Sequence, residues 1–113
     1  MSKDRTQQPS EGRRTSSVKK PLFSLGQVVA TPAVLAHLDR HSILPAALLS
    51  RHQHGDWGNV DSEDAEANDE AVKSGTRILS SFTVEYVVVW IITEAAGDDG
   101  DRASTCLLFP EEY

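Results

Sequence analysis

The sequence predicts an α+β fold, with short helices packed on one face of a small antiparallel sheet behind a disordered basic N-terminal tail. Three observations carry this expectation. Residues 1–21, MSKDRTQQPSEGRRTSSVKKP, hold only Met1 and Val18 as apolar side chains, too few to offset the entropy of ordering the segment. Two proline-led helical patterns and one acidic helical pattern follow between residues 31 and 75. The stretch 76–94, TRILSSFTVEYVVVWIITE, is then dense in β-branched and aromatic residues. Helices first and strands last fit helices laid over an antiparallel sheet, not a parallel alternation.

Taken in order, the single domain spans residues 22–113 and opens with a strand around Val28 and Val29, after Gly26. Thr31 and Pro32 start a helix. The Thr hydroxyl can cap exposed amides, and proline fits the first helical position because its missing N–H would have been unpaired. Val34, Leu35 and Leu38 give that helix its apolar face, to about Arg40. Pro45 opens a second short helix through Leu48, Leu49 and Arg51, ended by Gly55. Asp61 or Ser62 caps a third, 62–74, closed by Gly75 at the usual left-handed position. Its first turns carry Glu63, Asp64 and Glu66 against the positive end of the helix dipole.

The run 76–94 exceeds an ordinary strand and divides into a hairpin turning near Val84 to Tyr86. The apolar stretch Val87 to Ile92 reads as a central strand buried on both faces. AGDDGD, 96–101, is a loop, and ASTCLLF, 103–109, is a closing strand.

Charge separates tail from body. The tail holds six basic residues against Asp4 and Glu11, whereas the rest holds five basic and fifteen acidic residues, and the whole chain is −6. An acidic body does not make a nucleic-acid groove, which needs Lys and Arg to displace counterions. Only residues 1–21 could touch a phosphate backbone, without sequence preference. The tail has no apolar run to make it a signal peptide, and no stretch is long enough to span a membrane. Cys106 is the one cysteine and sits in an apolar run, so a cytoplasmic location and an inert thiol are expected.

His37 and His41 have the four-residue spacing of metal ligands, but no H-E-x-x-H motif forms and no metal or other cofactor is expected. Asp56 and Glu94 each sit where an element meets a loop. Asp56 is expected to cap its own turn. DDGD in the 97–101 loop resembles part of a calcium loop without its closing Glu. Trp57, between Gly55-Asp56 and Gly58, is expected to plug the gap between helices and sheet, with an exposed binding anchor as the alternative.

Taken together, GQVVATPAVLA, the RH…GDWG loop, the N-x-x-A-x-x-x-G helix, RILS, WIITE and DRxSTCLLFPEEY resemble a family of small proteins carried on bacterial plasmids and integrated mobile elements. The resemblance covers residues 23–113. Family members are called plasmid-related proteins, and some are labelled type I restriction subunits. This chain is too short for a methyltransferase subunit and lacks its motifs. The family supplies a setting and no activity. Ala33 stands where the family has Gly, Phe82 where it has Tyr, and AAGDDGDR lengthens a segment usually reading ADR. If the family's Asp–Arg pair is functional, Asp101 and Arg102 inherit it; otherwise they form a salt bridge between strands.

The expected function is therefore a non-enzymatic protein-binding factor of a mobile element. Its partner would be a protein with a basic surface, such as a host-defence or DNA-handling protein. Asp56, Trp57, Asp61, Glu63, Asp64, Asp98 and Asp99 would form the contact, with the carboxylates imitating phosphates. The rival is a small metal-dependent hydrolase or nuclease using Asp56, Glu94, Asp101 and Arg102. A third reading is an antitoxin-like or regulatory module whose basic tail meets DNA.

Overall fold

The computed structural model describes residues 20–113, so the tail expectation lies, for residues 1–19, outside the described residues. The chain runs β1 (Gln27–Ala30), α1 (Pro32–Arg40), α2 (Pro45–Gln53), α3 (Ser62–Ser74), β2 (Ile78–Val84), β3 (Val87–Thr93) and β4 (Ser104–Leu108), then a 3-10 turn at Pro110–Glu112. It is an α+β fold with the four strands in the order β1-β4-β3-β2.

The helix starts form for the expected reasons. The Thr31 hydroxyl accepts from the Val34 amide at 3.3 Å, and Pro32 and Pro45 occupy first helical positions. Asp61 caps α3 by accepting from the Asp64 amide at 2.8 Å, and Gly75 ends it with φ 85°. The second helix ends on His54 just before Gly55.

One feature of the sheet departs from expectation. β2, β3 and β4 are antiparallel neighbours, but β1 pairs with β4 in parallel, so the sheet is mixed. A parallel pair needs a long crossover, and residues 31–103, with three helices and a hairpin, provide it. The hairpin turns where expected, at Glu85 and Tyr86, with φ 48° and 68°. Such two-residue turns favour Asn and Gly, because left-handed backbone crowds a Cβ. Glu-Tyr gives no such marker.

The helices cover one face. Val34, Leu38 and Leu48 pack with Phe82, Val84, Val89, Ile91 and Leu107 in one buried cluster. Phe23, Trp57, Ala71 and Ile78 form a second. The expectation that β3 is buried on both faces holds only for its second half. Val87 and Val88 are each 37% exposed, while Val89, Ile91, Ile92 and Thr93 are buried. The first residues of β3 belong to the hairpin tip beside the exposed turn, and Trp90 on the far face meets Tyr113 at 6.0 Å.

Candidate functional site

GDWG is architecture. Trp57 is 5% exposed and stacks on Phe23 at 6.2 Å, and its indole N–H donates to Asp69 at 3.0 Å. The indole is thus a core plug with its polar end satisfied, and as an exposed binding anchor it is excluded. Asp56 does what a turn residue does. One carboxylate oxygen accepts from the Gly58 amide at 3.1 Å and the other from Arg51 at 2.7 Å. The Arg51 hydrogen bond, ahead of the Gly58 amide and the Arg51 charge, holds the Asp56 carboxyl below its usual range.

Beside this loop, at the end of α2, lies a buried polar centre built on His52, which is a neutral core imidazole and not a cation at the helix end. His52 is fully buried; Nδ1 meets Ser80 Oγ at 2.6 Å, and Nε2 meets Thr93 Oγ1 at 2.8 Å. Thr93 in turn meets the Thr105 hydroxyl at 2.7 Å, and Thr105 donates to the Leu25 carbonyl at 2.8 Å. The last bond orients all the others. A carbonyl only accepts, so the Thr105 proton is spent there, and Thr93 must donate to Thr105. Thr93 oxygen then accepts from His52 Nε2–H, which leaves Nδ1 to accept from Ser80. His52 is a neutral Nε2–H tautomer in a one-way chain across β2, β3 and β4. Burial, with the nearby Arg102 charge, pushes its pKa down to about 4.

Ser80 and His52 have the separation of a nucleophile and its base. Both are 0% exposed, so no substrate carbonyl reaches Ser80. The pair ties α2 to β2 instead. The clue in sequence was the alignment of Ser80, Thr93 and Thr105 with the helix face of their strands, visible only once the register is known.

Arg102 is the second buried polar centre. It is 6% exposed, and its guanidinium donates to the carbonyls of Thr76 at 2.8 Å, Glu94 at 3.0 Å and Ala71 at 3.0 Å. Its carbon lies 5.5 Å over the Phe23 ring. The expected Asp101–Arg102 salt bridge is absent, because Arg102 turns inward to close the C-terminal end of α3 while Asp101 stays exposed. Glu94 contributes its backbone carbonyl to Arg102, and its side chain is at the surface.

The expected catalytic set is thus divided: Asp56 is held by Arg51, Arg102 by carbonyls, and Glu94 and Asp101 point to solvent. Among the described residues, no three His, Cys, Asp or Glu side chains come together in a way that could hold a metal ion. His37, one of the pair with ligand spacing, places Nε2 on the Val84 carbonyl at 2.8 Å. Burial, followed by the charges of Glu112 and Glu94, pushes the Cys106 thiol up, away from the reactive thiolate.

The expected contact carboxylates fall into two exposed groups. Asp61, Glu63 and Asp64 belong to the start of α3, where Glu66 and Glu70 extend the acidic surface. Asp98 and Asp99 lie in the 96–101 loop, and Asp99 accepts from the Asp101 amide at 2.9 Å. No helix among the described residues is long and apolar enough to cross a membrane. No protein-family model, curated protein or solved structure matches this chain.

Proposed function

We propose that this chain is a non-catalytic protein-binding factor that meets a basic partner surface with the acidic outer face of α3. One observation carries the reading. Glu63, Asp64, Glu66 and Glu70 are all exposed, and none forms an ion pair with another described residue. Charges left unpaired on one rigid helix act through solvent, where they steer an oppositely charged partner and fix its register. The groups best suited to chemistry, by contrast, are buried or already engaged. The resemblance to proteins of plasmids and mobile elements makes a cytoplasmic host-defence or DNA-handling protein the natural partner class.

The test uses Glu63→Gln, Glu66→Gln and Glu70→Gln together, which leave the Asp61 cap intact. Affinity for a basic partner recovered with the wild-type chain should fall at least about tenfold, and its dependence on salt should flatten. Equal affinity of variant and wild type, with unchanged salt dependence, would sink the proposal.

A further inference from the structure

A pocket of ≈ 390 Å³ opens where the end of α3, the segment before β1 and the 96–102 loop meet, and Arg102, Lys73, Ser24, Ser74 and Asp98 contribute to its wall. Of the five Lys and Arg side chains in residues 22–113, two line this one pocket. Lys73 is exposed and forms no ion pair with another described residue. Arg102 is more than nine-tenths buried, and no carboxylate of the described residues reaches it.

Guanidinium valence makes the deficit concrete. Arg102 has five N–H donors. The carbonyls of Thr76, Glu94 and Ala71 take three, at Nη1 twice and Nη2 once. Nε–H and the second Nη2–H have no acceptor among the described residues. Carbonyl dipoles offset part of the charge, but none supplies the full negative charge that a buried cation calls for. The Ser24 hydroxyl is also without a hydrogen-bond partner among the described residues and adds a neutral donor at the same wall.

We propose that this pocket binds the oxyanion head, phosphate or carboxylate, of a small molecule. Arg102 and Lys73 would supply the charge and Ser24 a hydrogen bond. The volume falls in the range of small-molecule sites and exceeds a bare anion. Asp98 is the opposing group: it stands at the same wall, and its carboxylate weakens the hold on an anion. This site is separate from the acidic face of α3, and neither proposal depends on the other.

The experiment titrates the full chain with inorganic phosphate and, separately, with succinate, each at ionic strength held constant with chloride, while following backbone amide shifts. One of the two should give a saturable response confined to residues 22–24, 73–76 and 96–102, and the identity of that anion distinguishes the two sources. Lys73→Ala should weaken it about tenfold, and Asp98→Asn should strengthen it several-fold. Both positions are exposed, so the variants keep the fold, which their unchanged amide spectrum elsewhere will report. No saturable response to either anion, a response scattered over the surface, or equal affinity in Lys73→Ala would overturn the proposal.

Discussion

On β2, the outer edge of the sheet is covered at Ser81 and Leu79. The Ser81 amide donates to the Trp57 carbonyl at 3.0 Å, and the Ser81 carbonyl accepts from the Asn59 amide at 2.6 Å. Asn68, reaching down from α3, takes both groups of Leu79: its amide donates to the carbonyl at 2.8 Å, and its oxygen accepts from the N–H at 3.1 Å. On β1, at the opposite edge, Gln27 and Thr31 turn their amides toward β4. The alternation sends those of Val28 and Ala30 outward, where no described residue meets them. Val28 and Val29 are 43% and 44% exposed. The contrast shows two ways to manage a free edge. The long strand is covered at these two residues; the open one is only four residues long.

The covered edge should be the more fragile of the two when altered. Gly58 has φ 74°, and a Cβ there would collide with the Ser81 carbonyl, so no side chain fits between loop and strand. Gly58→Ala should cost about 3–4 kcal/mol in chemical denaturation, combining backbone strain with the displaced loop. A loss below about 1 kcal/mol would mean that the loop lifts away without consequence.

Acid should act on the ties between the edges. His52 is neutral in the folded chain, with a pKa of about 4 against the ordinary 6.5. Its contribution is complete above pH 6.5 and is lost as the pH falls toward 4, because the unfolded chain takes up the proton first. The loss is about 3 kcal/mol over that window. Denaturation midpoints measured from pH 7 to 4.5 test this, and a flat profile between pH 6.5 and 5 contradicts it. Protonated Nδ1 would also have no acceptor lone pair for the Ser80 hydroxyl, so exchange of amides in β2 should accelerate with β4.

Smallest of all should be the effect at the open edge. Val28→Lys is expected to change stability by no more than about 0.5 kcal/mol, since the side chain is already half in solvent. Hydrogen exchange should show the same order without mutation, with the Val28 and Ala30 amides fast and those of Leu79 and Ser81 slow. Comparable protection at both edges would mean that β1 is covered in solution.

Much of this arrangement was legible in the residues themselves. Thr31-Pro32, Pro45, Asp61 and Gly75 mark helix ends through local capping chemistry, and the β-branched run from Ile78 to Thr93 marks the hairpin. The parallel pairing of β1 with β4 was not legible, because strand direction is decided by partners distant in the chain. The same holds for the site. The local role of Asp56 could be read from its turn, but Arg102 beside Asp101 looked like half of an ion pair. Only the fold shows that the side chain turns inward beneath α3. The two hydroxyls that engage His52, from Ser80 and Thr93, and the Thr105 hydroxyl behind Thr93 come from three different strands, so local sequence does not bring them together.

The parallel joint between β1 and β4 also dictates an order of events. Gln27 to Ala30 pair with Ser104 to Leu107, so this contact closes a loop containing every helix and the whole hairpin. Closing so long a loop is entropically late. During synthesis, β1 waits without its partner until the last strand is made. A chain interrupted before Ser104 would leave β1 without β4 and the inner edge of β3 bare. The final strand is thus the fastener that converts two sticky halves into one finished sheet.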